Sequence, residues 1–490
     1  MTRSSLLLMV AILATAPTAL AAPRWFRVSI TPFAYDISDE SQLDTYARVN
    51  ARQDMETHHV DDGVPWPEAY AGTPYHPAAE ANIALRLANT PPGMKSYLAV
   101  TPLDSNRGDM AGYWSDSSNA PRPGVWADKD FDDPMVIEAY YKYCRDMVNR
   151  FHPTYFNYAI ESLELARNAP ARWPAFMRLL NAVYPRLKRD FPALPIFVSI
   201  TLRDPGTPGM TDYTDEVGEL MKVSDYMAVS TYRYLFGSGN DKGNPANLPP
   251  GWLQQAADLA PDKPFAIAET GWLAENLNAP SFGLFVTGTA AWQADYVRAL
   301  FSECERLKAR FVIWFLAVDY DRLWFWLTLL GQANDGWLLW RDTGLWNGQL
   351  SARPSLAVWD ARNADGRRAV PPIVPDGWSV PGAQLTVARA SGTQLKLDWG
   401  LGACPAPNHH VVWLDLHAIA SYSVVGETCA VGNTGSYTGP APAGDLGVLV
   451  VADDGASIEG SHGVDSSGHE RPSRSTLCGL STKLTDGVCP

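Results

Sequence analysis

The sequence carries little charge, and that charge is unbalanced toward acid. Only 19% of the 490 residues are Asp, Glu, Lys or Arg, and the formal net charge at pH 7 is −14. Nucleic acids and anionic membrane surfaces are bound by basic patches, so this balance argues against both as partners. We predict a chain that binds no nucleic acid.

Several reactive-site motifs are also absent. The sequence has no G-x-S-x-G, no H-E-x-x-H and no G-x-x-x-x-G-K-[ST], which leaves serine hydrolysis, zinc hydrolysis and phosphate-loop chemistry without support. No set of cysteines has zinc-ligand spacing. The stretch LDSNRGDMAGYWSD, residues 103–116, lacks calcium-loop spacing, and we predict a solvated loop there. The sequence therefore predicts no metal site and no cofactor.

Cysteine is scarce, with six in the chain, and four of the six lie late in the sequence. An even late set in an exported protein indicates two disulfides. Among the three possible pairings we favour Cys404 with Cys429 and Cys478 with Cys489. The other two cysteines lie in helical patterns and are predicted to be buried free thiols: Cys144 and Cys304.

Long apolar runs are few. The N-terminus has Arg3, an apolar run from Leu6 to Leu13 and the A-x-A pattern at residues 19–21, which together indicate a signal peptide over residues 1–21. Its apolar run is too short to span a membrane. A later run, Phe311 to Leu330, contains three charged residues and indicates a strand and a loop. We predict a secreted or periplasmic monomer with no membrane span.

From Trp25 to about Asn363, short apolar runs alternate with longer segments whose apolar residues recur every three or four positions. Eight such repeats over about 340 residues predict an α/β fold, a (β/α)8 TIM barrel. A doubly wound open sheet is the alternative, but no glycine-rich loop follows the first run. The eight candidate strands are WFRVSITPF, DMETHHV, KSYLAV, YFNYAIE, PIFVSIT, DYMAVSTY, PFAIAE and RFVIWFLAV.

The composition changes after the last predicted barrel helix. RRAVPPIVPDGWSVPG is rich in Pro and Gly and indicates a linker. Alternating strand-like runs with turn residues between them follow, and they predict an all-β sandwich. The predicted domains are a signal peptide at 1–21, the barrel at 22–365, the linker at 366–379 and the sandwich, with its disulfides, at 380–490.

Two of the candidate strands end in a carboxylate. Glu161 ends the fourth and Glu269 ends the seventh. The C-terminal ends of barrel strands surround the active site, so we predict that these side chains meet over the barrel mouth. Two carboxyl groups roughly 5 Å apart suit glycoside hydrolysis with retention. Glu164, three residues after Glu161, is an alternative acid.

These strand ends resemble those of glycoside hydrolase clan A. AETGW resembles the nucleophile strand of the clan's β-1,3-glucanase and arabinogalactan endo-β-1,4-galactosidase branches, and DTGLWNGQLSARPSLAVW resembles its last barrel turn. The resemblance implies a retaining glycosidase with Glu269 as nucleophile and Glu161 as general acid/base. Ile160 departs from the clan, which usually has an Asn there that contacts the sugar 2-hydroxyl. This departure leaves three interpretations open. Another group contacts the 2-hydroxyl, the substrate differs, or the activity is weakened or lost.

The second strand supplies two candidate sugar ligands. Strand alternation puts His59 and Asp61 on one face and His58 on the other. Side chains of these types bond sugar hydroxyls, although a hydrogen-bonded histidine at the rim is the alternative. Trp66 is either a stacking platform for the sugar or a wedge that holds its loop against the barrel.

Three aromatic residues complete the predicted substrate site. By the resemblance, Tyr232 hydrogen-bonds the nucleophile and Trp314 forms the floor under the reacting sugar; core packing is the alternative for each. Trp272 directly follows the Glu269-Thr-Gly turn and is expected at the same mouth.

The run KLDWGLGACPAPNHHVVWLDL resembles fibronectin type III-like modules, which usually act as spacers or adhesion elements. Our interpretation is an exported retaining glycoside hydrolase that cleaves a poly- or oligosaccharide. One alternative is a non-catalytic carbohydrate-binding barrel, motivated by Ile160. Another is an exported adhesion or structural protein in which the sandwich is the working part.

Overall fold

The computed structural model covers most of the chain. The predicted signal peptide lies outside the described residues, as do Cys404 and Cys489. Within those residues, no helix is both long and apolar enough to cross a bilayer. The described ranges are 23–203, 213–236, 242–368, 371–376, 380, 382–401, 406–465 and 470–485.

The first 314 residues contain two kinds of strand pairing. Eight strands form one parallel sheet, and two further strands form an antiparallel hairpin in the segment after the seventh. In chain order the strands are β1 (Arg27–Ile30), β2 (Met55–His59), β3 (Lys95–Ala99), β4 (Tyr155–Ala159), β5 (Ile196–Thr201), β6 (Met227–Thr231), β7 (Phe265–Thr270), the hairpin strands β8 (Leu277–Ala279) and β9 (Leu284–Val286), and β10 (Phe311–Trp314).

The parallel sheet closes into a barrel. Hydrogen-bonded neighbours run in the order β1-β10-β7-β6-β5-β4-β3-β2. The two end strands also meet, because the Asp54 N–H donates to the Val28 carbonyl at 3.1 Å and the hydroxyls of Ser29 and Thr57 lie 2.6 Å apart. The predicted (β/α)8 barrel is confirmed, and the doubly wound alternative is excluded because its sheet would stay open.

The helices follow their sequence signals. The helix Pro134–Phe151 begins after Asp133, whose side chain accepts from the Met135 N–H, with Pro134 in the first turn, and it ends at His152 in the left-handed conformation. The described helices are α1 (Asp39–Val49), α2 (Trp66–Ala71), α3 (Pro77–Asn89), α4 (Pro134–Phe151), α5 (Leu163–Asn168), α6 (Trp173–Asp190), α7 (Thr214–Met221), α8 (Arg233–Phe236), α9 (Gln254–Leu259), α10 (Ala290–Arg306), α11 (Asp321–Leu329), α12 (Asp335–Leu338) and α13 (Pro354–Ala364).

The barrel interior changes from apolar to polar along its axis. Near the N-terminal strand ends, aromatic side chains such as Phe197 and Phe311 pack together. One layer further on, Asn157 Nδ2 donates to the hydroxyls of Tyr97 at 2.9 Å and Ser199 at 3.0 Å. The Asn157 side chain thus joins three neighbouring strands below the mouth.

Two strands shift register close to their glutamate. The pairing of β4 with β5 shifts between Asn157 and Ala159, and the pairing of β6 with β7 shifts between Val229 and Ser230. A bulge interrupts side-chain alternation and changes where the following side chains point. Beyond the bulge in β7, the Thr270 hydroxyl lies 2.6 Å from that of Tyr296 in α10, outside the barrel. The preceding Glu269 therefore faces the mouth.

A separate β-rich domain follows the barrel. Its strands form a three-stranded sheet, β11-β12-β15, and a five-stranded sheet, β14-β13-β16-β17-β18. Side chains from both sheets, including Leu397 and Trp413, pack into one core. The strands are β11 (Thr386–Arg389), β12 (Gln394–Asp398), β13 (Asn408–Asp415), β14 (Val424–Thr428), β15 (Ser436–Pro440), β16 (Leu446–Asp453), β17 (Ile458–Glu459) and β18 (Thr482–Lys483).

The favoured disulfide pairing is wrong. Cys429 is bonded to Cys478, so neither of the two predicted bridges forms as proposed. The segment that carries Cys478 is brought to β14 by Glu427, which accepts from the backbone N–H groups of residues 476–478. Such contacts are tertiary, and cysteine spacing does not reveal them. The two free thiols are buried, as predicted.

Candidate active site

Glu161 leaves β4 in a constrained turn. Its φ is 51°, in the left-handed region that side chains with a Cβ seldom adopt. Its N–H donates to Ser199 Oγ at 3.0 Å, and the N–H of Ser162 donates to the Ser199 carbonyl at 2.9 Å. The turn is therefore held by β5. Ile160 points the other way, into the packed barrel interior.

Glu269 lies deeper, with 8% of its surface exposed. The Tyr232 hydroxyl donates to Glu269 Oε1 at 2.6 Å, and His59 Nδ1 lies 3.3 Å from Oε2. Burial lowers the pKa of His59 to about 3, with smaller contributions from nearby arginines. His59 is therefore a neutral imidazole at physiological pH and adds no positive charge to the site. His58, on the opposite face of β2, packs against Phe151 outside the barrel.

Arg107 is the cation of this site, and sequence analysis did not identify it. Its side chain is buried, with 7% exposed, so the predicted solvated loop at 103–116 is wrong at this position. Nη2 donates to Asp61 Oδ2 at 2.7 Å, Nε donates to Glu161 Oε2 at 3.3 Å, and Nη1 donates to the Asp104 carbonyl at 2.9 Å. The sequence does contain a signal for Arg107: it is a lone arginine in an acidic loop directly after a barrel strand.

Both glutamates hold protons more tightly than isolated carboxyl groups do. Burial and the nearby Glu161 raise the pKa of Glu269 to about 8, against the hydrogen bond from Tyr232 and the charge of Arg107. Burial also raises the pKa of Glu161, again against Arg107. Asp61 adds a third carboxylate beside the Arg107 guanidinium. Both glutamates are therefore harder to ionise than an isolated Glu.

Glu164, the alternative acid, is engaged elsewhere. It lies in α5 and is buried, and Arg167 Nη1 donates to its Oε1 at 2.5 Å. Arg203 donates to its other oxygen. Two arginines thus engage both carboxylate oxygens of Glu164, which leaves Glu161 as the acid candidate at this end of β4.

Three tryptophans expected at the sugar site are instead fully buried. Trp66 Nε1 donates to the Ala111 carbonyl at 2.9 Å, which fits the wedge alternative. Trp272 stacks on Tyr296, with ring centroids 4.2 Å apart. Trp314 donates to the Thr343 carbonyl at 3.0 Å. Because neighbours cover these rings, none presents a free face to a ligand in this structure.

Other aromatic rings stand at the mouth. Phe315, one residue after Trp314, packs edge-on against Phe33, Tyr232 and Trp340. All except Tyr232 are partly exposed. Sequence analysis did not identify Phe315, which lies within the predicted strand RFVIWFLAV and directly follows β10 in the structure.

A second acidic cluster near the mouth is paired with arginines. Carboxylate oxygens of Glu275, Asp319 and Asp342 lie within 4.8 Å of one another. Arg353 pairs with Glu275 at 2.8 Å and also with Asp319, and Arg341 pairs with Asp342 at 2.8 Å. The guanidinium groups supply the positive charge that these carboxylates need, so we assign no metal site here.

A cavity of about 590 Å³ lies at the other end of the barrel, where the C-terminal domain meets the N-terminal strand ends. Pro195 and Pro264, which directly precede β5 and β7, line one side, and Glu470 and Lys483 line the other. The carboxylate pair is at the opposite strand ends, so this cavity is separate from the candidate active site.

No family model matches the chain, and no curated protein matches it. Among solved structures, GH5_18 from Streptomyces cattleya in complex with GlcNAc is 15% identical over 72% of this chain and 84% of that chain, with a TM-score of 0.49. Exo-beta-1,4-mannosidase Op5Man5 from Opitutaceae bacterium strain TAV5 is 14% identical over 71% of this chain, with a TM-score of 0.48. The match covers 61% of that mannosidase. The Ignisphaera aggregans GH53 catalytic domain is 18% identical over 69% and 91% of the two chains, with a TM-score of 0.40.

These structural neighbours are glycoside hydrolases of the GH5 and GH53 families. Identities this low, with TM-scores below 0.5, say nothing about the activity of this chain. The geometry of its own barrel mouth must therefore support any functional proposal.

Proposed function

We propose that this protein is an exported glycoside hydrolase that cleaves a poly- or oligosaccharide with retention of configuration. The observation that carries the proposal is the pair Glu161 and Glu269. Both lie at the C-terminal end of the barrel, where burial raises both pKa values and the charge of Glu161 adds to the rise for Glu269. A pair of carboxyl groups with one protonated and one ionised supplies the acid and the nucleophile that a retaining glycosidase needs.

In the proposed reaction, ionised Glu269 attacks the anomeric carbon while Glu161 gives its proton to the departing oxygen. Glu161 then takes a proton from water, which attacks the same carbon and releases Glu269. The Tyr232 hydroxyl, 2.6 Å from Glu269, fixes the nucleophile and stabilises its ionised form. The productive form of the pair therefore carries its proton on Glu161.

Several oxygen atoms near the mouth have no protein partner and could bond sugar hydroxyls. Asp61 Oδ1 and the hydroxyls of Thr31, Thr201 and Ser230 are buried and unpartnered. Asp61 is the best placed of these to contact a sugar beside the proposed acid, because Arg107 donates both to its other oxygen and to Glu161. We assign to Asp61 and Arg107 the sugar contact that the clan makes through the Asn replaced here by Ile160.

Arg107 also favours a second candidate function, a carbohydrate-binding barrel without turnover. Its guanidinium pairs with Glu161, and such a partner favours the ionised carboxylate over the acid. Together with Ile160, this contact favours a barrel that binds sugar in its cleft and does not protonate the leaving group.

Turnover of a substrate panel separates the two candidates. The protein is incubated with aryl β-glycosides and with plant and bacterial polysaccharides, and the first-formed anomer is read by NMR. The enzyme proposal expects a product that keeps the substrate's configuration, with activity lost in Glu269→Gln and kept in the control Glu275→Gln. Glu275 lies six residues later and is half exposed. Binding without turnover would support the second candidate, and an inverted product would contradict the proposed mechanism.

A further inference from the structure

Three side chains that commonly ligate metals meet inside the C-terminal domain. His410 lies in β13, Glu459 ends β17, and His462 follows three residues later. All three side chains are at most 1% exposed. His462 Nε2 lies 3.0 Å from Glu459 Oε2, and His410 Nε2 lies 3.3 Å from the same oxygen.

In His410 and His462, the Nδ1 atom on the other side of the ring already has a polar partner. His410 Nδ1 lies 3.0 Å from Asp453 Oδ2, and His462 Nδ1 lies 2.8 Å from Ser473 Oγ. A carboxylate can only accept, so the proton of His410 must sit on Nδ1. The Ser473 hydroxyl can donate or accept, so His462 can take the same tautomer, and both Nε2 lone pairs then face Glu459. Histidines that bind metals through Nε2 are usually oriented by such a partner on Nδ1.

His410 Nε2 lacks a partner of its own. It is fully buried, and its approach to Glu459 does not have hydrogen-bonding geometry. In the tautomer that Asp453 selects, this nitrogen directs a lone pair at a carboxylate oxygen, which is repulsive. A cation between the two atoms removes that repulsion and gives the buried nitrogen a bond.

We propose that His410, Glu459 and His462 bind one divalent transition-metal ion, with Zn²⁺ as the best fit. Two imidazoles and one carboxylate suit zinc better than calcium or magnesium. Tetrahedral zinc, with bonds of about 2.0–2.1 Å, places neighbouring ligand atoms about 3.3 Å apart. The two measured separations match that value, and all three ligand atoms lie within 4.8 Å of one another.

The ion would have a structural role. It would join β13, β17 and the segment that carries His462. The backbone N–H of Ser475 also donates to Glu459, at 3.1 Å, three residues before the disulfide at Cys478. Residues on both sides of His462 line the cavity against the barrel, so the site would also hold the domain surface that faces the barrel. The ligands are buried away from the barrel mouth, and the proposal is independent of glycosidase activity.

The competing arrangement contains no metal and places a doubly protonated His410 between Asp453 and Glu459. Metal analysis of the full chain, produced without an affinity tag in zinc-supplemented medium, separates the two. We expect about one zinc ion per chain that survives dialysis, and a fall in unfolding temperature on treatment with a chelator. Cobalt-supplemented production should give the visible spectrum of a four- or five-coordinate Co²⁺ site. Folded protein without either ion would overturn the proposal.

A pair of matched variants locates the ion. His462→Gln removes one ligand and is expected to lower zinc content at least about tenfold. His417→Gln removes an exposed histidine of the same domain and is expected to leave it unchanged. Zinc retained in His462→Gln would place the ion elsewhere and overturn the assignment. If His462→Gln does not fold, zinc content and the cobalt spectrum of the native chain decide the question.

Discussion

Glu269 and Glu459 are both buried carboxyl groups, and their partners shift the two pKa values in opposite directions. At the barrel mouth, burial raises the pKa of Glu269 to about 8, and Glu161 adds to the rise. In the C-terminal domain, burial favours the same rise for Glu459. The neighbouring imidazoles of His410 and His462 outweigh it there and lower the pKa to about 2.

The difference lies in the groups that surround each carboxylate. Glu269 accepts one hydroxyl bond and faces another carboxyl group, so its charged form is poorly compensated. Glu459 is surrounded by two imidazoles and the N–H of Ser475. Burial alone therefore does not decide whether a carboxylate is reactive. An under-compensated pair can move a proton, whereas a fully bonded carboxylate fixes structure or binds a cation.

The largest expected effect is on turnover. Glu269→Gln should lower kcat about 10⁴-fold or more, because an amide cannot form the covalent intermediate. Steady-state kinetics on the best substrate from the panel measures this, with Glu275→Gln as control. Retention of more than a few per cent of activity would remove Glu269 from the reaction.

The next effect depends on the leaving group. Glu161→Gln should lower turnover of a polysaccharide about 10²–10⁴-fold, because proton transfer to the departing oxygen is lost. An aryl glycoside with a dinitrophenyl leaving group needs no such proton, so formation of the intermediate should be nearly unchanged. Equal losses on both substrates would assign Glu161 a structural role, like that of Glu459.

Replacing the glutamate with glutamine should change the free energy of unfolding in opposite directions at Glu459 and at Glu269. Glu459→Gln removes a buried charge on which two histidines depend and should lower the free energy of unfolding by about 3 kcal/mol or more. Glu269→Gln removes a carboxyl group whose ionisation favours the unfolded chain at pH 7, and it should raise the free energy of unfolding by roughly 1–3 kcal/mol. Hydrogen exchange of β13 and β16 for the first variant, and of β6 and β7 for the second, measures each change locally. The same sign in both would contradict the comparison.

The stabilisation by Glu269→Gln should depend on pH. Above the usual Glu pKa of 4.5 and below about 8, the folded protein holds a proton that the unfolded chain has released. Native stability therefore falls as pH rises through this window. The gain from the variant should be present at pH 8 and absent near pH 4. A gain that does not change with pH would show that Glu269 titrates normally.

The smallest expected effect is a shift in the pH–rate profile. Arg107 opposes the rise in both glutamate pKa values, so Arg107→Met should raise them further. The alkaline limb, which reports loss of the Glu161 proton, should move up by about one unit. An unchanged profile would mean that the guanidinium is screened from the pair.

The sequence predicted the barrel and the two strand-end glutamates because apolar runs and their terminal residues are local features. It did not predict which aromatic rings face the mouth. Trp314 and Phe315 are adjacent, and packing against the helices decides that Trp314 is buried and Phe315 partly exposed. The bulges in β4 and β7 change alternation at the very residues of interest.

The sequence also did not predict contacts between residues that are far apart in the chain. Arg107 meets Glu161 across 54 residues, and Cys429 meets Cys478 across 49. His410 lies on one segment of the chain, and Glu459 and His462 lie on another. Their separation in the sequence is not a recognisable metal-ligand spacing. Each of these contacts forms only after the strands that carry its members are placed in the fold.

Labelling of the nucleophile is the most direct test of the reactive carboxylate pair. The protein is treated with a 2-deoxy-2-fluoro aryl glycoside of the sugar that it turns over, digested, and analysed by mass spectrometry. The account predicts one stable glycosyl adduct on Glu269, within Pro264 to Trp272, and none in Glu269→Gln. An adduct on another carboxylate, or turnover to an inverted product without any adduct, would contradict it.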